Sequence, residues 1–286
     1  MTANYEALVA TIREKFPEIS PQLQVGAGFL LDNPDEVAVL SMRKVAEHAG
    51  VQPAALVRLA QSLGFPGWNE LRAIFVSRLR TRPPTLGTKA RSLVKGGADN
   101  HLSRELALSQ VQNLEAMAAN NAERVVEAAK VLRKAEHVHV AGFRSCYPVA
   151  FGITYGYRLF RPSISLITGE AGTLEMQVRG IEKRHATIVI SFAPYSIEAV
   201  RVAEETVARG AQLIAITDSA VSPIALNADQ VLLFSHDSPS FFPSLVAASA
   251  VAEMLVAHLL ALEGKAAVKR IEEAEAALHA NGAYSA

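Results

Sequence analysis

Cysteine, tryptophan and net charge are scarce or absent in this 286-residue chain. The single cysteine, Cys146, excludes an intrachain disulfide framework and is consistent with a reducing compartment. The 28 basic side chains balance the 28 acidic ones, so global charge draws the chain neither to nucleic acid nor to a membrane surface. Hydrophobic residues make up 50% of the chain, which is sufficient for one large domain core or two ordinary ones.

Long uncharged apolar runs are also lacking. The most apolar stretch, residues 245–262, is rich in alanine and is interrupted by Glu253 and His258, which is typical of a core helix rather than a membrane span. The first 20 residues place charged side chains such as Glu6 and Arg13 among the apolar ones, unlike a signal peptide. We therefore expect a cytoplasmic protein without a membrane partner.

The neutral total hides a local excess of basic residues. Residues 40–82 carry seven arginine or lysine side chains and two glutamates. A basic segment in an otherwise neutral chain favours contact with nucleic acid, whereas its alternative explanation is a solvated helix face. Charge alone does not separate the two.

The chain divides into two parts with different apolar periodicity. Up to residue 82 every periodic segment has helical spacing and no strand pattern occurs. Residues 83–101 follow, with paired prolines and scattered charge typical of a linker that holds at most a short helix. We predict an all-α domain at 1–82, this linker, and a second domain at 102–286. The predicted helices of the first domain are residues 5–16, 21–31, 42–49, 53–63 and 68–79.

In the second domain, short apolar runs alternate with helical stretches. This alternation predicts βαβ units and an α/β, doubly wound parallel sheet. Helices are predicted at about 102–119, 122–134, 242–262 and 265–280, and strands at 137–142, 163–168, 186–192, 212–217 and 230–234.

Residues 42–61 have the pattern of a helix-turn-helix. Ala46 is small enough for two helices to cross, Gly50 permits the turn, and apolar residues recur at the inward positions of both helices. An αα-hairpin in a domain core explains the apolar positions, but it does not explain the Gly-Val turn or the clustered basic residues. We therefore predict that helix 53–63 enters the major groove of double-stranded operator DNA.

Small residues at the start of that helix permit close approach to base edges, and Pro53 is tolerated in the first turn because its missing N–H has no helical partner there. Glutamine pairs with adenine, arginine pairs with guanine or phosphate, and small apolar side chains touch thymine methyl groups. The predicted DNA contacts are Arg43, Lys44, Gln52, Pro53, Ala54, Val57, Arg58 and Gln61.

Three loops leave the carboxyl ends of predicted strands, where open parallel sheets bind ligands. They are residues 141–147, 191–196 and 217–223, and each precedes a predicted helix and carries hydroxyl side chains. Helix N-termini offer free N–H groups to an anion, so these serines are candidates to converge on a small-molecule effector. The alternative is that they are helix caps and turn residues. The serines are Ser145, Ser191, Ser196 and Ser219.

Residues 41–71 resemble the N-terminal domain of RpiR-type transcription regulators, whose pattern is Val-Ser-x-x-Thr-(Val/Ile)-x-Arg-(Phe/Leu) followed by Leu-Gly-(Phe/Tyr)-x-Gly-(Phe/Tyr)-x-Glu-Leu. Gln52 and Ala55 depart from the usual Ser and Thr, which are potential phosphate contacts. The matching residues are Val51, Arg58, Leu59, Leu63, Gly64, Phe65, Gly67, Trp68, Glu70 and Leu71.

The second half resembles the sugar isomerase (SIS) domain of the same family. The resemblance implies a first ligand loop at residues 142–145 and adds Asp218 to the site beside Ser219. The family's phosphate-binding pattern, Ser-x-Ser-Gly-x-Thr, aligns with residues 191–196, where Ala193 and Pro194 replace a Ser and a Gly. Proline has no N–H to donate, so Arg144 and Tyr195 are expected to replace the lost donors. A small organic acid or an altered sugar derivative then fits nearly as well as a simple sugar phosphate.

These features predict a transcription regulator whose SIS domain senses a metabolite and which acts as a homodimer or homotetramer. Two alternatives stay open: an aldose–ketose isomerase of phosphosugars, and a DNA-binding protein whose SIS domain only dimerises. We expect no catalytic residue, because no spacing marks an acid–base group. We also expect no cofactor and no metal site, with His137, His139 and Cys146 in structural roles.

Overall fold

A computed structural model describes residues 5–81, 85–96 and 100–283. The chain forms two compact units, Met1–Thr85 and Leu86–Ala286. The predicted linker at 83–101 contains a helix that belongs to the second unit, and its residues 83, 84 and 97–99 lie outside the described residues. The predicted domain limits therefore remain a prediction.

Within its described residues, the first unit contains helices and no strand. Its central core consists of the fully buried side chains of Leu30, Leu56, Leu59, Leu71 and Phe75. Its helices are α1 (Tyr5–Lys15), α2 (Pro21–Asp32), α3 (Pro34–Val39), α4 (Met42–His48), α5 (Pro53–Ser62) and α6 (Trp68–Thr81).

Helix α3 is not among the helices predicted from the sequence. Pro34 occupies the first turn of the helix, and Asp35 and Glu36 follow it, where acidic side chains oppose the positive end of the helix dipole. Six residues are too few to show a helical period in the sequence. Arg72 of α6 donates hydrogen bonds to the carbonyl groups of Val37 (3.2 Å) and Ala38 (2.8 Å), which satisfies the last turn of α3.

The second unit has a five-stranded parallel sheet in the order β2-β1-β3-β4-β5, which confirms the predicted fold class. The strands are β1 (Val138–Gly142), β2 (Ile164–Ile167), β3 (Ala186–Ile190), β4 (Gln212–Thr217) and β5 (Gln230–Leu233). The helices are α7 (Leu86–Gly96), α8 (Asn100–Asn121), α9 (Arg124–Lys134), α10 (Tyr147–Arg158), α11 (Leu174–Arg179), α12 (Ile197–Ala208), α13 (Val246–Glu263) and α14 (Lys265–Ala280).

Hydrophobic cores cover both faces of the sheet. One core packs α9, α10 and α13 against it, and the other packs α11 and α12. Helix α13 starts at Val246, four residues later than predicted. Within the described ranges it is the one helix long and apolar enough to cross a membrane, yet Val251, Leu255 and Leu259 are buried in the protein core.

Candidate functional site

Helices α4 and α5 form the predicted helix-turn-helix. Ser41 caps α4 by accepting the N–H of Lys44 at 3.4 Å. Gly50 has a φ of +66°, a conformation that glycine adopts without steric cost, and the N–H of Val51 then bonds to the carbonyl of Ala46 at 3.0 Å. Ala46 is buried at the crossing, as predicted. The turn therefore fixes α5 against α4.

The exposed side of α5 holds most of the predicted DNA contacts. Its buried side consists of Ala55, Leu56, Leu59 and Ala60. Ala55 therefore points into the core, and its departure from the family's Thr removes no group from the exposed surface. Of the predicted contacts, Arg43, Lys44, Gln52, Ala54, Arg58 and Gln61 are exposed, whereas Pro53 and Val57 are half-buried.

The basic side chains on this surface are not engaged by other parts of the protein. Within the described ranges, Arg43, Lys44 and Arg58 form no ion pair with an acidic side chain. By contrast, Arg72 and Arg78, which also contribute to the basic excess, bond to α3. The geometry thus separates basic residues that stabilise the domain from basic residues that are available to a polyanion.

A cavity of about 330 Å³ lies at the carboxyl ends of the strands in the second unit. It receives four of the seven predicted effector residues, namely Arg144, Ser145, Ser191 and Ser196. Tyr195, Asp218 and Ser219 are not among its lining residues. The remaining lining residues are mostly apolar: Leu86, Phe143, Cys146, Phe192, Pro194, Phe242 and Pro243.

The first wall of the cavity depends on a tight turn after β1. A side chain on Gly142 would place its Cβ 2.7 Å from the carbonyl oxygen of Cys146, so only glycine fits there. Arg144 follows in a left-handed conformation with a φ of +54°. Its guanidinium forms a two-pronged ion pair with Glu198 of α12, with both N–O distances at 3.1 Å. The predicted counter-charge for an anion is therefore already paired.

The second wall is the loop at 191–196, which its two serines organise. The Oγ of Ser196 accepts the N–H of Ala199 at 3.1 Å and caps α12. The Oγ of Ser191 accepts the N–H of Ser196 at 3.3 Å. The capping role that the sequence left open thus applies to Ser196. Each hydroxyl accepts one hydrogen bond here and still has its own proton to donate.

Asp218 accepts hydrogen bonds from Tyr195 and from the backbone of the loop at 191–196. Its carboxylate accepts the hydroxyl of Tyr195 at 3.0 Å and the N–H of Ala193 at 3.3 Å, and it lies 3.4 Å from Nε2 of His236. Burial alone would raise the pKa of Asp218, but hydrogen bonds from His236, Ala193 and Tyr195 outweigh it and hold that pKa below its usual value. Burial, together with the bond to Asp218, raises the pKa of Tyr195 to about 12. Asp218 is therefore a carboxylate at neutral pH, and Tyr195 donates to it.

Sequence reasoning missed several residues of this region. Glu198 and His236 were not predicted, nor were the apolar walls formed by Phe192 and Phe242. His236 follows β5 and lies 4.7 Å, ring to ring, from Phe192, so its position after a parallel strand was an available signal. Glu198 could have been found as an acidic residue in the first turn of a predicted helix, where a negative charge is favourable.

Cys146 is buried, and His137 and His139 bond to neighbouring side chains of the second unit. Burial raises the pKa of Cys146 to about 11; a hydrogen bond from Ser145 lowers it and the charge of Asp218 raises it, so the thiol is protonated at neutral pH. His137 and His139 bond to Ser165 at 3.0 and 2.9 Å, and His139 bonds to His185 at 3.0 Å. In the part of the chain that the structure describes, no group of His, Cys, Asp or Glu side chains has the geometry to hold a metal ion.

Comparison with known families matches both halves of the chain. Residues 7–81 match the helix-turn-helix domain of the rpiR family, and residues 131–281 match the SIS domain. An HTH-type transcriptional regulator of Caldanaerobacter subterraneus subsp. tengcongensis is 24% identical over 261 residues, 88% of each chain. One of Haemophilus influenzae is 26% identical over 217 residues, 72% of each chain.

Two solved structures show the same fold. The sugar isomerase domain of an RpiR transcription factor from Sphaerobacter thermophilus has a TM-score of 0.58 at 24% identity and covers 62% of this chain and 99% of its own. The Vibrio vulnificus NanR protein complexed with ManNAc-6P has a TM-score of 0.56 at 18% identity and covers 97% of this chain and 100% of its own. With its helix-turn-helix followed by a parallel-sheet domain, the chain belongs to the RpiR family of transcription regulators with a C-terminal SIS domain.

Proposed function

We propose that this cytoplasmic regulator reads double-stranded operator DNA with α5 and that a small molecule in the cavity at the carboxyl edge of the sheet controls this binding. The observation that carries the proposal is the occurrence, in one chain, of an exposed surface on α4 and α5 with unpaired basic residues and a cavity lined by four predicted effector residues. The regulator homologues support the first half, and the SIS domain supports the second.

Arg58 provides the sharpest test of DNA reading. It is exposed on α5, and Arg13 on α1 is another exposed arginine of the same domain, outside the helix-turn-helix. We expect Arg58→Ala to weaken specific binding by roughly 1–3 kcal/mol and to relax sequence preference, because an arginine paired with a base supplies this much discrimination. Arg13→Ala should bind as the wild type does. An equal loss of DNA affinity in the two variants, measured by fluorescence anisotropy, would contradict the assignment of Arg58 to base reading.

The effector is proposed to be a carbohydrate derivative. The support comes from the SIS fold and from the Vibrio vulnificus NanR structure, which holds ManNAc-6P. Ser191→Ala and Arg144→Ala should reduce the effect of the ligand on DNA affinity while leaving ligand-free DNA binding unchanged. Titrations that show unchanged ligand affinity in both variants would place the effector elsewhere.

A homodimer is the smallest assembly that fits the proposed function, and a homotetramer contains it. A single helix-turn-helix reads few base pairs, and two copies read two half-sites related by symmetry. A row of exposed aromatic side chains on α10, formed by Tyr147, Phe151 and Tyr155, is the surface that we propose for the second copy, because it has no charge to repel itself. Phe151→Glu should shift the mass in sedimentation toward the monomer, whereas Glu136→Gln should not.

We propose further that the domain has no isomerase activity. Four side chains of the second domain that could act as an acid or a base do not line the cavity: Glu170, Glu175, His185 and Glu253. Glu175 pairs with Arg201, His185 bonds to His139, and Glu253 lines a separate depression between α10 and α13. Glucose 6-phosphate incubated with the protein should not convert to fructose 6-phosphate. Conversion above background that is lost in Glu253→Gln or Glu170→Gln would favour the enzyme.

A further inference from the structure

The loop at 191–196 has few donors to offer a phosphate group. Phosphates bind at such loops through several N–H groups at a helix N-terminus. Here Pro194 has no N–H, the N–H of Ala193 bonds to Asp218 at 3.3 Å, and the N–H of Ser196 bonds to Ser191 at 3.3 Å. The N–H of Ala199 in the first turn of α12 is bonded to Ser196. Four positions of the loop and the following turn thus have no backbone N–H free for a ligand.

Two carboxylates of the protein, those of Glu198 and Asp218, lie next to this loop. Glu198 lies in the first turn of α12, where a negative charge satisfies the helix dipole, and it binds Arg144 with both oxygens. Asp218 holds the opposite side of the loop. Arg144 is the single arginine or lysine among the described residues that line the cavity. The guanidinium is paired with Glu198, so the described lining residues offer no unpaired cation to a phosphate group with nearly two negative charges.

The walls of the cavity suit an uncharged sugar ring. Phe143, Phe192 and Phe242 offer apolar surface for the C–H face of a ring, and Ser145, Ser191 and Ser196 offer hydroxyl groups for its hydroxyls. Small-molecule sites commonly combine an apolar lining with a few polar groups that fix orientation. The volume of about 330 Å³ is at the small end of such sites and fits a monosaccharide.

We infer that the effector is an uncharged monosaccharide derivative without a phosphate group, held between the three phenylalanines and the three serines. This inference rests on the proposed function and names the ligand class of the same cavity. Phosphorylated sugars and organic acids are disfavoured because Arg144 is already paired with Glu198 and because the charge of Asp218 acts on the lining residue Cys146. The missing N–H of Pro194 and the engaged N–H of Ala193 disfavour them further.

Matched pairs of sugars test the inference. The full-length protein is titrated calorimetrically with glucose, N-acetylglucosamine and N-acetylmannosamine and with the 6-phosphate of each. We expect at least one unphosphorylated sugar to bind at least tenfold more tightly than its 6-phosphate. The affinity of the Ser191→Ala variant for that sugar should be at least tenfold lower than that of the wild type. A sugar phosphate that binds more tightly than its parent, or the absence of binding in all three pairs, would overturn the inference.

A gain of function tests the stated cause. The double variant Pro194→Gly with Asp218→Asn restores an N–H and removes a charge, so its affinity for at least one 6-phosphate should rise at least tenfold. Glu273→Gln on α14 removes the same charge at an exposed position and should change nothing. No gain in the double variant would refute the exclusion mechanism. If a sugar phosphate releases the wild-type protein from DNA, the inference of an unphosphorylated ligand fails, but the proposed control of DNA binding by an effector stands. If no sugar alters DNA binding, the proposed control by an effector is itself refuted.

Discussion

Gly142 is the residue on which the first wall of the cavity depends, and replacing it with alanine should be costly. The added Cβ would lie 2.7 Å from the carbonyl oxygen of Cys146 and 2.9 Å from the Cβ of Ala150. One neighbour is backbone and the other belongs to α10, so neither moves away by rotating a side chain. Overpacking of this kind costs up to about 3 kcal/mol. The reduced freedom of the unfolded chain returns roughly 0.4–1 kcal/mol, so a net loss of about 2 kcal/mol is expected.

Gly152→Ala is the matched control because it makes the same chemical change at an exposed position of α10. No neighbouring side chain or other element lies within 4 Å of the added carbon there. It should stabilise the protein by up to about 1 kcal/mol through helix propensity. For a domain of 150–250 residues, each kcal/mol shifts the melting temperature by about 2–4 °C. Gly142→Ala should therefore lower the melting temperature of the SIS domain by about 4–8 °C, whereas Gly152→Ala should raise it by up to about 4 °C.

Circular dichroism follows the unfolding of the whole chain, and Trp68 separates the two domains. It is the single tryptophan of the sequence and is buried in the helical unit, so its fluorescence reports on that unit alone. The transition in Gly142→Ala should shift in circular dichroism more than in tryptophan fluorescence. A melting temperature within 1 °C of the wild type, or equal shifts for the two alanine variants, would refute the close packing at Gly142.

Three further predictions concern pH, capping and reactivity. Burial, with the nearby charges of His137 and His185, lowers the pKa of His139 from its ordinary 6.5 to about 4, so the stability that it contributes is complete above pH 6.5 and is lost as the pH falls toward 4. Between pH 7 and pH 4.5 the free energy of unfolding should therefore fall by roughly 2 kcal/mol less in His139→Gln than in the wild type, and parallel curves would contradict this. Ser41→Ala removes the cap of α4 and should lower the free energy of unfolding of the helical unit, measured by tryptophan fluorescence, by about 1 kcal/mol; no change would show that the 3.4 Å contact is too weak to matter. The thiol of Cys146 should react with iodoacetamide at pH 8 at least tenfold more slowly in the folded protein than in urea, and an equal rate would contradict its burial.

The helix-turn-helix was predictable because its constraints are local. Gly50, Ala46 and the inward apolar positions lie within a few residues of one another, and each requirement is visible in the residue type. The parallel strands were also predictable from local patterns, because short apolar runs alternate with helical stretches along the sequence. Helix α3 was not, because its six residues make fewer than two helical turns and are held by Arg72 from another element.

The cavity was predictable only in part. Ser145, Ser191 and Ser196 follow strand ends, so topology alone brings them together. The partners of Arg144, Tyr195 and the backbone of Ala193 were not predictable, because they lie on other segments: Glu198 on α12 and Asp218 after β4. The choice of Glu198 and Asp218 as partners depends on distances of about 3 Å that no sequence spacing encodes.

Selection of genomic DNA fragments by the purified full-length protein tests the central claim most directly. The wild type should enrich a short inverted repeat whose half-sites are about one helical turn apart, centre to centre, or a multiple of that spacing. Arg58→Ala, taken through the same selection, should enrich the repeat less and with weaker preference at one or two positions of each half-site. Fragments without any shared sequence, recovered equally by the wild type and by Arg58→Ala, would contradict the claim that this protein reads an operator through α5.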